Sequence, residues 1–183
     1  MKRILIAVAL VMLLVAVALQ AQSPVPKPGP DQKKLEVWVG SWTVEGESKA
    51  GPLGPASKYT NECTFQMTIG GFVLEGRFHS KSASENMQGM QIVAYDSANK
   101  NYTYAMYFND GVISDGMVTV SGNTWNWKGT VIAGGKQYQS RGTDVLSADL
   151  MSDTYTAEIS TDGKTWVPWI EEKATRIKGT SKK

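Results

Sequence analysis

Apolar and polar side chains alternate along most of the chain, with the period of two that is typical of half-buried β-strands. In the clearest stretch, 58–69, apolar or aromatic residues hold most odd positions, and Thr, Glu and Gln hold most even ones. Gly70 and Gly71 follow at once and predict a two-residue hairpin turn into a second strand, 72–80. We therefore expect these two strands to be antiparallel neighbours.

The same alternation recurs about ten times, and the segments are separated by clusters of Gly, Asn, Asp and Ser that form turns. There is no long crossover segment, so consecutive strands are expected to pair. Because an open sheet of this size leaves exposed edges, the pattern predicts an all-β fold: a single up-and-down antiparallel barrel of about ten strands. The predicted strands are 41–48, 58–69, 72–80, 88–96, 102–108, 112–120, 124–132, 136–146, 153–160 and 164–177.

A short N-terminal helix is predicted just before the first strand. Asp31 is suited to cap it, because its side chain accepts hydrogen bonds from free backbone N–H groups. Leu35 and Trp38 follow at helical spacing, and Gly40 is expected to end the helix.

The first residues have the features of a secretory signal peptide. Lys2 and Arg3 precede an apolar run of sixteen residues that ends near small residues, and cleavage is expected near Ala21. The protein is then exported, to the periplasm or the medium. A retained membrane anchor is the alternative, and it would be the chain's one membrane attachment.

The remaining chain divides into a Pro-rich linker over 22–30, one domain over 31–178 and a basic tail over 179–183. Removing residues 1–21 takes two of the 19 basic residues and no acidic one, so basic and acidic residues become equal at 17 each. A neutral chain has no electrostatic footprint for phosphate backbones, so we expect no nucleic-acid partner.

Gly40-Ser41-Trp42 resembles the Gly-x-Trp signature of the lipocalin-like (calycin) superfamily. This signature and the order of the other motifs resemble those of a bacterial family called domain of unknown function 1579. The resemblance covers roughly residues 31–177. The resemblance implies a lipocalin-like barrel of about ten strands and no established activity. The other matching features are Leu35, Trp38, Gly46, Glu47, the Gly/Pro-rich loop 51–55, the Gly70-Gly71 turn and Gly163-Lys164-Thr165-Trp166.

The resemblance also implies a structural contact. In lipocalins a basic side chain from the closing strand packs across the signature Trp. Arg176 matches that position best, with Lys173 as second choice, and would place a cation over the ring of Trp42. We treat Gly40, Trp42 and Arg176 as residues that specify the fold.

A cousin in the superfamily, the haem-binding nitrobindin group, is similar at Gly40, Trp42 and Gly46 but has another Gly where this chain has Val44. Its iron-binding His lies on a late strand, and the last two predicted strands here contain none. With one His and one Cys in the chain, the expectation is no haem, no metal and no other cofactor. Cys63 is expected to be buried and inert.

Two sets of side chains are candidates for a ligand site. Glu75, Arg77 and His79 share one face of their predicted strand; alternation favours an outward face, and the alternative directs them into the barrel. Arg141 is considered with them. The second set is expected to line the interior as core or as pocket walls: Tyr104, Met106, Trp125 and Trp127.

The sequence therefore predicts a barrel that binds a small apolar or amphipathic ligand in its interior, without an evident catalytic constellation. One alternative is an enzyme using Glu75, Arg77 and Arg141 in the lumen. Another is a packed barrel that serves as an interaction module.

Overall fold

The computed structural model describes residues 26–80 and 86–179. The predicted signal peptide and nearly all of the predicted basic tail lie outside the described residues. None of the helices in the described part of the chain has the length and apolar content that crossing a membrane requires.

The N-terminal helix starts earlier than the sequence pattern predicts. Helix α1 spans Pro30–Lys33 and continues as a 3-10 turn over Lys34–Trp38. Gly29, and not Asp31, is the N-cap, and its N–H donates to the side chain of Gln32 at 2.9 Å. Proline is favoured in the first helical turn, which moves the start of the helix to the end of the linker.

Ten antiparallel strands follow, and all ten predicted strands are present within a few residues of their predicted bounds. They are β1 (Gly40–Ser48), β2 (Ser57–Thr68), β3 (Val73–Ser80), β4 (Gln88–Asp96), β5 (Asn101–Phe108), β6 (Ile113–Ser121), β7 (Thr124–Ala133), β8 (Lys136–Leu146), β9 (Ser152–Ser160) and β10 (Val167–Arg176).

Two connections differ from the prediction. Thr68 pairs with Val73, so the turn between β2 and β3 has four residues and not two, with Gly70 and Gly71 both at positive φ. Strand β10 begins three residues later than predicted, because the Asp162 carboxylate accepts hydrogen bonds from the N–H groups of Lys164 and Thr165 and holds them in a turn.

The sheet is a closed barrel in which β1 pairs with both β2 and β10. Trp42 marks the closure, since its register partners are Cys63 on β2 and Arg176 on β10. The predicted all-β, up-and-down barrel is therefore confirmed, and every strand has a hydrogen-bonded neighbour on each side.

The short helix covers one end of the barrel. Leu35 is fully buried, and the Trp38 ring packs against the rings of Trp42 and Trp125, with centroids 6.0 and 5.6 Å away. The Tyr102 hydroxyl donates to the carbonyl of Asp31 at 2.8 Å, which ties the helix to β5. This end is closed by apolar packing, whereas in the described part of the chain the opposite end is bounded by the connections that follow β1, β5, β7 and β9.

Candidate functional site

The barrel encloses a cavity of about 470 Å³ that the inward-facing side chains of all ten strands line. The wall formed by β3, β4 and β5 is mainly apolar. Its side chains include Leu74, Phe78, Val93, Met106 and Phe108.

Inward-facing glycines explain why so many aromatic residues do not fill this interior. Beside each of five such glycines lies an aromatic side chain of a nearby strand, so close that a Cβ on the glycine would come within 2.5 or 2.6 Å of it. The rings therefore lie along the wall and not across the lumen. The pairs are Gly46 with Tyr59, Gly76 with Phe65, Gly89 with Phe108, Gly129 with Tyr104 and Gly142 with Tyr155.

Three carboxyl groups face the cavity from β8, β9 and β10. Asp144 and Asp153 are 8% and 4% exposed, and Glu172 is half-buried. The Tyr59 hydroxyl donates to Glu172 Oε1 at 2.6 Å, and the indole N–H of Trp127 donates to Asp144 Oδ2. We call Asp144, Asp153 and Glu172 the lumenal acid cluster.

Burial raises the pKa of all three carboxyls. For Asp144 burial is the largest cause, and the charge and hydrogen bond of Asp153 raise its pKa further. The pKa of Asp153 is also raised by burial, although the hydrogen bonds it accepts oppose the rise. The neighbouring Asp153 therefore adds to burial in disfavouring the charged form of Asp144.

Two tyrosines, Tyr59 and Tyr155, border the acid cluster. Burial, followed by the charge of a neighbouring carboxylate, raises the pKa of both Tyr59 and Tyr155 above the usual tyrosine range. Each hydroxyl therefore keeps its proton at neutral pH.

Two buried acceptor atoms at this wall accept no hydrogen bond from any described residue. They are Oδ1 of Asn61, a residue that is 6% exposed, and Oδ1 of Asp153. Both residues line the cavity. A buried unpaired acceptor is costly, so these two atoms mark a place where a donor would be stabilised.

The four residues predicted to line the interior do so. Tyr104, Met106, Trp125 and Trp127 all face the cavity. Trp125 is buried beside the N-terminal helix, while Trp127 forms an edge-to-face pair with Tyr104, with centroids 5.0 Å apart. They form part of the same enclosure as the acid cluster.

The other predicted side chains lie outside the barrel. Glu75 and Arg77 form an ion pair of 2.8 Å on the outer face of β3, and His79 is exposed beside them. The physical reason is the period of two: Leu74 and Phe78 occupy the inward positions of the same strand. The outward face that alternation favours is therefore the observed one, and the alternative, a lumenal site made of these three residues, is corrected.

Arg141 contributes to the cavity lining, but its guanidinium is directed to the outer surface. Its guanidinium pairs with Glu158 at 2.6 Å and lies 4.3 Å from the ring centroid of Trp166. This contact borders a depression of about 630 Å³ on the outer surface of β6 to β10. Because Arg141 and Glu158 are 50% and 41% exposed, this depression is open to solvent.

The residues predicted to specify the fold, Gly40, Trp42 and Arg176, contact one another at the closed end of the barrel. The Arg176 guanidinium lies 4.2 Å from the ring centroid of Trp42 and donates to the carbonyls of Val37, Val39 and Leu150. Gly40 has a φ of +127°, and a Cβ there would lie 3.0 Å from Arg176 Nη1. Glycine thus leaves room for the guanidinium.

Sequence reasoning missed the lumenal acid cluster, although one signal could have found Glu172. Strand parity places Glu172 and Ala174 on the same face as Arg176, which the resemblance had already directed to Trp42. Among the described residues, no group of His, Cys, Asp and Glu side chains is arranged to hold a metal ion.

Comparison with known proteins gives a family and a fold. A family model described as "Protein of unknown function (DUF1579)" matches residues 27–176. The crystal structure of Rv2717c from M. tuberculosis is similar, with a TM-score of 0.59, 14% identity and coverage of 82% of this chain and 99% of that chain. A de novo designed fluorescence-activating β-barrel has a TM-score of 0.42 and 14% identity, covering 79% and 98% of the two chains. No curated protein matches.

Proposed function

The chain belongs to the DUF1579 family of proteins of unknown function, and we propose that its barrel binds a small apolar or amphipathic ligand in the interior. The observation that carries this proposal is the lumenal cavity of about 470 Å³, which combines an apolar wall with a few polar groups on the opposite side. Cavities of about 300–1,000 Å³ with this mixture are typical small-molecule sites.

The ligand is expected to enter at the end opposite the N-terminal helix. Leu53, Val112 and Ala133 lie at that end, in or next to the connections between strands, and line the cavity. At the other end the Trp38 side chain and the contact of Arg176 with Trp42 block access. Because the lumen is closed at the end that the helix covers, an apolar molecule is expected to be retained in the barrel and not to pass through it.

Titration with an environment-sensitive apolar dye tests the proposal, with one variant that fills the lumen. Met106→Trp places a larger ring on the cavity wall, and Tyr107→Trp places the same ring at the next position, which is 47% exposed on the outer face. We expect saturable dye binding that Met106→Trp weakens by at least about tenfold and Tyr107→Trp leaves unchanged.

Native mass spectrometry of protein purified from its own host adds a second measurement, since a retained ligand would give a defined extra mass. Absence of saturable dye binding, or equal effects of the two tryptophan variants, would contradict a lumenal site.

The two alternative functions, an enzyme and a packed interaction module, receive less support. Glu75, Arg77 and Arg141 share no cavity, which removes the site of the enzyme alternative, and a packed barrel would have no room for a lumen of this size.

We also propose that the protein is exported and cleaved near Ala21. The support is the order of the charged, apolar and small residues before the linker. Intact mass and N-terminal sequencing of the protein recovered from a periplasmic fraction test this. A chain that retains residues 1–21 in a membrane fraction would favour the anchor instead.

A further inference from the structure

The lumen is asymmetric in charge as well as in polarity. Asp144, Asp153 and Glu172 face it from three consecutive strands, β8, β9 and β10, while the wall formed by β3 to β5 presents mainly apolar side chains. A molecule that fits both walls must carry an apolar body and one polar group at a fixed end.

Among the described residues that line the cavity, no basic side chain neutralises the acid cluster. Arg141 is the one basic residue in that lining, and its guanidinium is turned outward to Glu158. Arg176 lies at the closed end, where its N–H groups are used by backbone carbonyls. Any positive charge that stabilises the ionised cluster would therefore come from a ligand.

The hydrogen-bond inventory points the same way. Oδ1 of Asn61 and Oδ1 of Asp153 are buried acceptors without a donor among the described residues, and the acid cluster adds further carboxyl oxygens. Two of the neighbouring donors are in use, since Tyr59 donates to Glu172 and Trp127 donates to Asp144. A complementary group must supply several donors and need no acceptor, which describes an alkylammonium group.

We propose that the ligand of the lumen is an amphipathic amine, whose apolar body lies against β3 to β5 and whose protonated amino group binds among Asp144, Asp153, Glu172 and Asn61. This inference rests on the proposed lumenal site and adds the chemical class of its ligand. A carboxylate of the same length would meet like charges at this wall, and an alcohol would bring one donor where an ammonium brings three.

Binding of an ammonium group should release protons from the cluster. Burial raises the pKa of its carboxyls, and a bound cation would favour their charged form. The other titratable groups facing the cluster, Tyr59, Tyr155, Tyr104 and Cys63, have pKa values raised by burial and stay neutral. The affinity for an amine should therefore increase with pH, while the affinity for an alcohol should not.

The test compares n-octylamine, 1-octanol and octanoate as competitors of the bound dye. At pH 7 we expect octylamine to displace the dye at a concentration at least about tenfold lower than octanol, with octanoate the weakest. The ratio of amine to alcohol affinity should rise at least about fivefold from pH 5 to pH 8, a range in which an alkylammonium keeps its charge.

Variants assign the effect to the cluster. Glu172→Gln and Asp144→Asn should each reduce the preference for octylamine over octanol at least about fivefold. Glu171→Gln is the matched control, because Glu171 is the adjacent residue on β10, is 59% exposed and pairs with Lys49 on the outer face. If a variant does not fold, the pH dependence of the amine-to-alcohol affinity ratio in the natural protein still tests the amine assignment.

The outcomes separate the two proposals. If none of the three octyl compounds displaces the dye, the lumenal site itself fails. If all three displace it equally, or if Glu171→Gln and Glu172→Gln behave alike, the cavity remains a binding site and the amine assignment is overturned.

Discussion

The Arg176 guanidinium lies 4.2 Å from the ring centroid of Trp42, its register partner on β1, so this contact adds to the strand pairing that joins the last strand of the barrel to the first. The same guanidinium donates to Val37 and Val39 at the end of the helical segment. One side chain therefore links the seam between β1 and β10 to the segment that covers this end of the barrel.

Replacing Arg176 by Lys should destabilise the protein although the charge is kept. A lysine ammonium lacks the planar fork that reaches several carbonyls while it stacks on an indole, so buried carbonyls would lose donors. We expect Arg176→Lys to lower the free energy of unfolding by about 2 kcal/mol, measured by urea denaturation. Lys173→Ala is the control, because Lys173 is exposed on the same strand. Equal stability of the two variants would contradict this role.

The sequence predicted the barrel well because alternation and turn chemistry are local signals. The stretch 58–69 and the turn after it determine β2 and β3 without knowledge of any other part of the chain. The start of β10 was placed too early, because the hydrogen bonds of the Asp162 side chain extend the preceding turn. The alternation of apolar and polar residues does not reveal such side-chain hydrogen bonds.

The acid cluster could not be found in the same way. Alternation says which residues share a face, but it does not bring Asp144, Asp153 and Glu172 together, since that requires the register of three strands. Buried carboxylates are rare, so a charged residue on a strand is usually predicted to face solvent. This expectation also directs attention away from a cluster inside the barrel. The cluster follows from the closed barrel and not from any one segment.

The Cys63 thiol should be unreactive in the folded protein. The side chain is 4% exposed, and burial, followed by the charge of Glu172, raises the pKa of the thiol to about 12. At pH 8 the thiolate fraction should be roughly a thousandfold smaller than that of a free thiol, and access is restricted as well. Reaction with a disulfide reagent should be slow in buffer and fast in urea. Similar rates in both conditions would show that the lumen wall opens.

Addition of hemin should produce no histidine-dependent haem complex. His79 is exposed on the outer face of β3, and none of the described residues that line the cavity is a histidine. Without a histidine ligand inside the apolar lumen, axial ligation of the type found in globins is not expected. We expect no sharp Soret band that His79→Ala removes. A band that depends on His79 would require this side chain to ligate the iron from the outer surface.

The glycines beneath aromatic rings should be sensitive to a single methyl group. A Cβ on Gly46 would lie 2.5 Å from the Tyr59 ring, so Gly46→Ala should push that ring off the wall and disturb its hydrogen bond to Glu172. We expect a loss of about 1–3 kcal/mol in the free energy of unfolding, together with weaker dye binding. Gly51→Ala is the control, because the nearest atom to its Cβ is 3.9 Å away. Equal effects would contradict the packing argument.

Stability should fall as pH rises above the ordinary pKa of aspartate, because of the lumenal acid cluster. Burial raises the pKa of Asp144 well above 3.8, so the folded protein keeps a proton that the unfolded chain loses, and each such proton costs about 1.4 kcal/mol per pH unit within that window. Asp144→Asn should therefore flatten the pH dependence of the free energy of unfolding between pH 4 and pH 8. Relative to the natural protein, the variant's free energy of unfolding should be higher at pH 8 than at pH 4.

Asp162→Asn is the control of opposite sign. The backbone N–H groups of Thr165 and Lys164 lower the pKa of Asp162 to about 2, so the stabilisation from Asp162 is present above pH 3.8 and disappears towards pH 2. Urea denaturation at a series of pH values measures both. A natural protein whose stability rises steadily from pH 4 to pH 8 would show that the cluster is charged in the folded state.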